Sequence, residues 1–478
     1  MGPRSGGRLG LLIVGLLTAC GCSAVAPGSS TTRTPAEARE VGADSKVVPV
    51  GCHAVVSKSA EAGATLVSAA PSPFVGAAEL TSDALVEQVL ARNPTLAQMI
   101  AAYDAVSTRY AQVTSLDDPT FMGKVGPAAI GTNEVRDHWY MVEVSQKLPW
   151  WGKLGLRGDS ATAEASAAGY DVDDMRLQLA ESAGTAFFDY YLAIRALEVN
   201  AENLTLLKKF EATAEDRYAN RLVPQQDVFQ ARVEIGREQD RRLTLEEARQ
   251  IAVARINTLM HLPPDSPLPP PPKEVRPSEA LPEPQELRAA ALARRPDLRA
   301  LAERIRSEEA KLGLAYKEFY PDFEVAAGYD AFWDVKSQRP EVNLRVNLPL
   351  YRDKRYAALA ESQARIAERQ ADLARQTDQV SFQVQEAYEK VSRSERSVRL
   401  YEKSILPDAK KNVEAAQAAY EAGNVKVPFL NLVVAQQSRV MLLDRYHEAV
   451  ADYFRRRATL ERVVGGPLVP ESSSFPER

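Results

Sequence analysis

The sequence predicts a mainly α-helical protein made of two copies of one domain-sized unit, with two β-strands in each copy. The first observation is a constant spacing of 202 positions between matching residues, namely Pro94 and Pro296, Pro119 and Pro321, and Tyr218 and Tyr420. The second is a long helix-favouring stretch in each half, and the third is a pair of alternating stretches that precedes it. A period this long exceeds that of solenoid repeats, so the chain is a tandem duplication.

The overall composition narrows the possible functions. The chain has 478 residues and a formal net charge of −5, which gives no indication of nucleic-acid binding. All three cysteines (Cys20, Cys22 and Cys52) precede the first repeat, and the four histidines are scattered. We therefore expect no disulfide framework, no metal site and no cofactor. No nucleophile–base pair or phosphate-binding glycine loop is recognisable, so we do not expect an enzyme.

The first 19 residues have the features of an export signal peptide. Two arginines precede an apolar core that is too short to span a bilayer as a helix. The four residues Leu17-Thr18-Ala19-Cys20 then resemble a bacterial lipoprotein box, which implies that Cys20 carries the lipid anchor, with acyl chains such as palmitate. The alternative is an ordinary signal that is cleaved nearby, with Cys20 discarded. Residues 20–79 have the composition of a mostly disordered segment.

Each repeat is predicted to contain a first helix, two strands, a long helix and a return helix. The first repeat covers residues 80–262, with strands within about 119–148, and the second covers 285–465, with strands within about 321–349. The long helices cover about 151–221 and 351–422. At 1.5 Å per residue each is roughly 100 Å long, which is too long for a compact domain. Each long helix and its return helix therefore form a projecting coiled hairpin.

Three further segments complete the layout. The helix that opens the first repeat is predicted to continue without a break from Thr81 to about Leu116. Residues 263–284 join the repeats and are rich in proline, so we expect a stiff, extended linker. Residues 466–478 are predicted to form a loose tail.

The alternating stretches indicate sheet strands with one apolar and one polar face. In the second repeat Val342, Leu344 and Val346 alternate with Glu341, Asn343 and Arg345. No helix of matching hydrophobicity is available to cover the apolar faces, so lipid is the expected cover. The polar faces would then line a lumen, with charged groups from Glu143, Lys147, Glu324, Asp330 and Arg345.

Four strands cannot close a barrel in lipid, because an open edge leaves backbone groups unpaired at several kcal/mol each. Two associated copies would supply eight strands and three copies twelve, and only the larger ring leaves room for a channel. The alternative is a soluble helical protein in which two amphipathic hairpins pack on the chain itself.

Local phrases of the sequence are similar to those of a known family. Residues 144–153, with the sequence VSQKLPWWGK, lead from the second strand into the long helix, and Phe319-Tyr320-Pro321-Asp322-Phe323 leads into the third strand. Tyr420-Glu421-Ala422-Gly423 marks the second hairpin tip and precedes Leu432, Ala435 and Gln436. In this order and duplication the phrases resemble the outer-membrane factors of TolC type, lipoprotein branch, over about residues 80–464.

The resemblance implies a homotrimer that forms a twelve-stranded transmembrane β-barrel and a long α-barrel. It implies location in the bacterial outer membrane, with a lipid anchor and a projection into the periplasm. It also implies a passive exit duct for small molecules or metal ions. The implied partners are outer-membrane lipid, a periplasmic adaptor protein and an inner-membrane pump of the resistance-nodulation-division type.

The resemblance also assigns roles to the hairpin tips. It implies a gate at Asp227, Asn431 and Val434, with Lys426 reaching Asp227 across the tip. The residues expected to dock the adaptor are Arg221, Leu222, Val223, Gly423, Asn424 and Val425. Because Asn431 stands where the family has an acid, we expect a weaker electrostatic gate. The alternative for Asp227 is that it only caps its helix.

Other functions agree less well with the sequence. A periplasmic adaptor protein also has a coiled hairpin. An adaptor carries a single hairpin between two half motifs, whereas this chain has two hairpins, each with a strand pair. An envelope coiled-coil protein without a pore remains the alternative to an export duct. The exported substrate and the particular pump are not encoded in recognisable residues.

Overall fold

The computed structural model describes residues 73, 74, 76, 78–125, 140–276, 281–333, 335–422 and 429–468. All of these belong to one compact unit. Helices dominate, four strands form one sheet, and the order of elements is the same in both halves, so the predicted mainly helical, duplicated fold is confirmed. The predictions for Cys20, for Gly423, Asn424, Val425 and Lys426, and for the end of the tail lie outside the described residues.

The first repeat begins with three helices where we predicted one. These are α1 (Ser82–Arg92), α2 (Pro94–Ser107) and α3 (Arg109–Thr114). The break after α1 follows from Asn93, whose side-chain oxygen accepts a hydrogen bond from the Thr95 N–H at 2.9 Å, and from Pro94, which has no N–H to continue the helix. Asn93 therefore ends one helix and caps the next.

A strand pair and a long helical hairpin complete the first repeat. The strands are β1 (Thr120–Val125) and β2 (Tyr140–Leu148), and the helices are α4 (Lys153–Ala219) and α5 (Gln225–Leu259). The 67 residues of α4 give a length of roughly 100 Å. Pro224 precedes α5 in an extended conformation, so a short turn reverses the chain at the hairpin tip.

The linker between the repeats lies against the helices. The Leu80 N–H donates to the Pro270 carbonyl at 2.9 Å, and the Tyr190 hydroxyl donates to the Pro269 carbonyl at 3.3 Å. The Asn257 side chain donates to the Ser266 carbonyl at 2.8 Å. Proline fixes the extended backbone, and these contacts hold it on the helical surface.

The second repeat has the same order but a modified long helix. It consists of α6 (Pro284–Arg294), α7 (Pro296–Lys317), β3 (Phe323–Asp330), β4 (Pro340–Val346), α8 (Arg352–Leu400), α9 (Leu406–Glu421) and α10 (Phe429–Val464). We predicted one helix over residues 351–422, but a π-helical turn at Tyr401–Ile405 separates α8 from α9. Pro407 lies just after this turn and lacks the N–H that a regular helix requires, so the hydrogen bonding shifts there.

The strands form one antiparallel sheet in the order β1-β2-β3-β4. Phe121 faces Val144 across β1 and β2, and Phe323 faces Val346 across β3 and β4. The central pair, β2 and β3, joins the two repeats. Among the described residues, no helix combines the length and apolar character needed to cross a lipid bilayer.

Two separate hydrophobic clusters hold the helices together. The first, here called the main core, contains buried residues of α4 up to Tyr191 and of α10 from Val450 onward, with contributions from both sets of short helices. The second, the tip core, consists of Leu207, Phe210, Ala231, Tyr420, Phe429, Leu432 and Val433. The tip core joins the ends of the two hairpins, so the tips pack as one body.

Candidate channel wall and hairpin tips

One face of the sheet is apolar and has no cover within the described chain. Its side chains include Phe121, Val142, Val144, Val325, Val342 and Leu344, all of them exposed. Val342 is 79% exposed, although valine in a monomeric protein is usually buried. A contiguous apolar sheet face of this kind indicates a surface that contacts lipid or another chain.

The opposite face carries a network of charged and polar side chains. Glu143 is only 3% exposed and accepts from Arg345 at 2.7 Å. Arg345 also donates to Glu324 at 3.1 Å, and Asn343 donates to Glu143 at 3.3 Å. Paired charges of opposite sign satisfy one another, so this face is polar without leaving a buried charge alone.

Two other residues that we predicted on the polar face are placed less centrally. Lys147 is exposed and pairs in register with Glu324 across β2 and β3. The Asp330 carboxylate accepts from the Phe332 N–H at 2.9 Å, so it caps the turn that follows β3. The structure thus brings Glu143, Glu324 and Arg345 together and puts Asp330 at the end of the sheet.

The outer strands of the sheet are open. Within the described residues, β1 and β4 each pair with one strand only. Pro340 is the first residue of β4, a position that suits an edge strand because proline cannot donate to the ladder. The successive strands are antiparallel, so β1 and β4 run in opposite directions. A second sheet of the same kind can therefore continue this one with antiparallel pairing.

An ion pair between a buried lysine and a partly exposed aspartate fixes the sheet to the long helix. Lys153, at the start of α4, is 1% exposed, and its Nζ contacts both Asp322 oxygens, at 2.9 and 3.0 Å. Asp322 also accepts from the Trp150 N–H at 2.8 Å. The Trp150 ring stacks on Tyr320 and Phe323, with centroids 5.1 and 5.8 Å away. These contacts set the direction in which α4 leaves the sheet.

At the hairpin tips, three residues form a contact that we call the tip clamp: Arg217, Asp227 and Tyr420. The Arg217 guanidinium donates to the Tyr420 carbonyl and lies 4.7 Å from the centre of its ring. It also donates to the Glu421 carbonyl at 3.4 Å. The Tyr420 hydroxyl donates to Asp227 at 3.5 Å. The clamp therefore joins the first hairpin to the second.

The environment of the clamp changes the ionisation of its members. Burial raises the pKa of the Asp227 carboxyl, and the Tyr420 hydrogen bond and the Arg217 charge partly offset this. Burial, followed by the negative charge of Asp227, raises the pKa of Tyr420 to about 12. The phenol therefore stays protonated at neutral pH and remains a donor to the carboxylate.

Some of the pairs that join the repeats are separated by nearly the repeat period, whereas others, such as Lys153 with Asp322, are not. Arg345 lies 202 positions after Glu143, and Tyr420 lies 203 positions after Arg217. These separations match the repeat period of 202, so corresponding positions of the two repeats lie at about the same height.

The other predicted tip residues are distributed around this contact. Asn431 and Val434 are exposed and line a groove of about 530 Å³ between α9 and α10. Leu222 is exposed, and Val223 packs against the tip core. Arg221 has φ of +58°, the left-handed conformation that glycine adopts without strain.

The sequence did not reveal the clamp itself. The structure places Tyr420 and Arg217 beside Asp227, and Lys426, which we expected to reach Asp227, lies outside the described residues. Tyr420 is buried, while its repeat equivalent Tyr218 is exposed. The available signal was that Arg217 directly precedes Tyr218, whose repeat equivalent Tyr420 lies 203 positions after Arg217. Among the described residues, no three carboxylate, imidazole or thiol groups could together hold a metal ion.

Comparison with known proteins agrees with this geometry. The outer membrane protein VceC from Vibrio cholerae has a similar structure, with a TM-score of 0.67 and 20% identity over 81% of this chain and 97% of that chain. The open state of the Neisseria gonorrhoeae MtrE outer membrane channel has a TM-score of 0.66 and 16% identity over 82% and 91%. The Campylobacter jejuni CmeC outer membrane channel has a TM-score of 0.66 and 14% identity over 80% and 85%. At such identities the likeness shows the fold.

Sequence comparison assigns the family. No protein with a curated description matches the chain significantly. The sequence profile of the outer membrane efflux protein family matches residues 85–260 and 287–466, which are the two repeats. Because this match covers both repeats and more than half of the chain, the chain belongs to the outer membrane efflux protein family.

Proposed function

We propose that three copies of this chain form the outer-membrane exit duct of a tripartite efflux system, and that the duct is passive. The observation that carries this proposal is the sheet, which has an uncovered apolar face, a charged opposite face and two open edges. Lipid is a suitable cover for the apolar face, and a water-filled lumen suits the charges. The long helix α4, roughly 100 Å in length, extends the duct beyond the sheet.

Ring closure between copies satisfies the open edges. The strand β4 of one copy is antiparallel to β1 of the next when both sheets have the same orientation. Two copies would give eight strands, whose side chains fill the interior, whereas three copies give twelve strands and an open lumen. Glu143, Lys147, Glu324, Arg345 and Asp330 then lie on the lumen side.

The tip clamp supports a gate at the other end of the duct. Arg217 holds the second hairpin against the first at a point where both hairpins turn. In a ring of three copies, six hairpin tips would meet around the axis. Release of the clamp lets the tips move apart, so the clamp favours the closed duct. Asn431 and Val434 form a neutral groove beside it, which agrees with a weakly electrostatic gate.

The remaining assignments concern partners and anchoring. The exposed tip residue Leu222, with Arg221 and Val223, is a docking position for a periplasmic adaptor that connects the duct to an inner-membrane pump. The residues 423–425 are expected to dock in the same way. Cys20 would hold the N-terminus at the membrane through its lipid. The cargo is a small molecule or a metal ion that the pump selects.

Reconstitution into a planar lipid bilayer tests the proposal. The purified protein is expected to migrate as a trimer in mild detergent and to give discrete conductance steps whose size rises with salt concentration. Substitution Glu143→Gln, which removes a charge from the proposed lumen, should change the cation-to-anion permeability ratio. A trimer without conductance would instead indicate an envelope coiled-coil protein without a pore. A monomer that remains soluble without detergent would contradict the proposal.

A further inference from the structure

The hydrophobic packing of the hairpins is interrupted between the two cores. On α4 the last fully buried residue of the main core is Tyr191 and the first of the tip core is Leu207. On α10 the last fully buried residue of the tip core is Val433 and the first of the main core is Val450. The buried residues Val199 and Val440 lie in this interval but belong to neither core. Half-buried residues up to Ile194 of α4 and from Tyr446 of α10 still pack against the main core, so at 1.5 Å per residue the interruption is roughly 20 Å long.

Buried polar side chains occupy the interruption. Asn200 is 1% exposed, and Asn203, Glu234 and Gln436 are also buried. We call this layer the polar belt and include the residues that contact them, so that it consists of Asn200, Asn203, Glu234, Glu238, Arg241, Gln436, Gln437 and Asp444. A buried polar group destabilises the fold unless a partner satisfies it, so their contacts decide the strength of the layer.

The belt joins three helices by hydrogen bonds. Asn200 of α4 donates to the Glu238 carbonyl of α5 at 2.9 Å. Gln436 of α10 donates to Asn203 of α4 at 2.8 Å. Gln437 of α10 donates to Glu234 of α5 at 2.6 Å, and Arg241 forms an ion pair with Asp444. Most of these bonds are formed by side-chain ends, which can exchange partners when the helices shift.

Some hydrogen-bond acceptors of the polar belt have no donor in the described part of the chain. Within the described residues, the Asn200 Oδ1, the Gln436 Oε1 and the Asp444 Oδ1 are buried and accept no hydrogen bond. Burial also raises the pKa of the Asp444 carboxyl, although Arg241 lies beside it. A polar layer that is only partly satisfied is weaker than apolar packing of the same area. The belt is therefore the weakest level between the two cores.

The second hairpin has an irregular backbone at the same level. The π-helical turn Tyr401–Ile405 contains Glu402, which accepts from the Tyr446 hydroxyl of α10 at 2.9 Å. Tyr446 lies two positions after Asp444 of the belt. A cavity of about 580 Å³ opens beside the turn, between α4, α10 and the linker. Loose packing and a shifted hydrogen-bond pattern both lower the resistance of this hairpin to bending.

We propose that the polar belt is the pivot on which the tip halves of the hairpins bend relative to the main core. This inference rests on the proposed function in one respect, namely that bending at this level opens or closes the duct. The tip core moves as one body because its apolar side chains interdigitate. The belt accommodates the movement by exchanging partners among Asn203, Gln436, Gln437 and Glu234. The tip clamp then sets which position of the tips is favoured.

Filling the belt with apolar side chains tests this role. The double substitution Asn203→Leu and Gln436→Leu in the full-length trimer should make the apolar packing continuous and stiffen the pivot. Amide hydrogen exchange of α4 residues 204–219 is expected to slow at least tenfold, while residues 172–191 change little. Spin labels on Leu222→Cys, with Cys22 and Cys52 replaced by serine, should show a narrower distribution of tip-to-tip distances.

Two further variants separate the pivot from other effects. The shortened side chain of Gln436→Asn should have the opposite result, a broader distance distribution and faster exchange at the tips, and this variant needs no repacking. The control Ser160→Ala with Ser307→Ala removes a buried polar pair between α4 and α7, whose oxygens are 2.9 Å apart, and should leave the tips unchanged. If neither belt variant alters amide hydrogen exchange at the tips or the tip-to-tip distances, the polar belt is not the pivot. Absence of conductance from the unsubstituted trimer, together with the expected changes in exchange in the variants, would count against the duct and leave the pivot intact.

Discussion

Removal of the Arg217 side-chain charge should shift the duct toward its open state. The guanidinium connects the hairpins by a hydrogen bond to the Tyr420 carbonyl, a second to the Glu421 carbonyl at 3.4 Å, and a ring contact at 4.7 Å. Glutamine at this position cannot reach both carbonyls and cannot make the ring contact. The substitution Arg217→Gln therefore leaves the tips held by the tip core and by the hydrogen bond from the Tyr420 hydroxyl to Asp227.

The structure sets the size of this effect. A charge-assisted hydrogen bond contributes about 1.5–3 kcal/mol, and a partly exposed cation–π contact contributes about 0.5–1 kcal/mol. The second carbonyl contact is long and adds little. The Arg217 contacts are thus worth about 2–4 kcal/mol in each copy. At about 1.4 kcal/mol for each factor of ten, their loss raises the ratio of open to closed tips about 30-fold to several hundred-fold.

Single-channel recording measures this shift as the fraction of time that the duct conducts. Arg217→Lys should give an intermediate value, because lysine keeps the charge but not the planar group that contacts the Tyr420 ring. Lys209→Gln is the matched control, since Lys209 is an exposed cation on the same helix, about two turns away. If Arg217→Gln and Lys209→Gln have the same open fraction as the parent, the clamp does not hold the tips and the reasoning is refuted.

Three further predictions concern stability, measured by unfolding of the purified trimer in detergent. Gly158→Ala should destabilise the fold by about 1–3 kcal/mol, because the added Cβ would lie 2.7 Å from a Thr114 methyl carbon, whereas Gly155→Ala, which meets open space, should be neutral or stabilising. Arg221→Gly should stabilise by roughly 0.5–1 kcal/mol by relieving the left-handed backbone, and an unchanged midpoint would contradict this. Burial, together with the Arg195 charge, lowers the pKa of His447 to about 4. The contribution of the neutral imidazole to the free energy of unfolding is therefore present above the unfolded pKa near 6.5 and is lost as the pH falls toward 4. Between pH 7 and pH 4.5 the free energy of unfolding of His447→Gln should therefore fall about 2.5 kcal/mol less than that of the parent. Equal decreases in the two proteins would refute the lowered pKa of His447.

Much of the fold could be predicted because its signals are local and occur twice. The alternation around Val342 and Leu344 identified a sheet with one apolar face, and the 202-residue period identified the second copy of each element. The breaks in the helices are different, because they depend on single residues. Pro94 and Pro407 were both visible in the sequence, but their effects depend on whether the local hydrogen bonding can shift, which composition alone does not decide.

The tip clamp and the polar belt could not be predicted in the same way. Arg217 and Tyr420 are 203 positions apart, and their contact depends on how the two hairpins coil around each other. Asn203 and Gln436 look like ordinary polar residues of an exposed helix face until the packing of α4 on α10 buries them. Sequence periodicity identifies which face of a helix is apolar, but it does not identify which polar residues become enclosed when two hairpins meet.

Covalent linkage of neighbouring copies through the open strand edges tests ring closure most directly. In protein with Cys22 and Cys52 replaced by serine, Gly123→Cys on β1 would be combined in turn with Leu344→Cys, Val346→Cys or Leu348→Cys, all on the apolar face. The Cβ of a cysteine at position 123 makes only an ordinary van der Waals contact, with a Phe121 ring carbon at 3.8 Å, and Gly123→Cys alone is the control. If three copies close the barrel, one pairing should give a ladder on denaturing gels that stops at three chains. Only single chains from every pairing, or a ladder that continues beyond three, would contradict a closed ring of three copies.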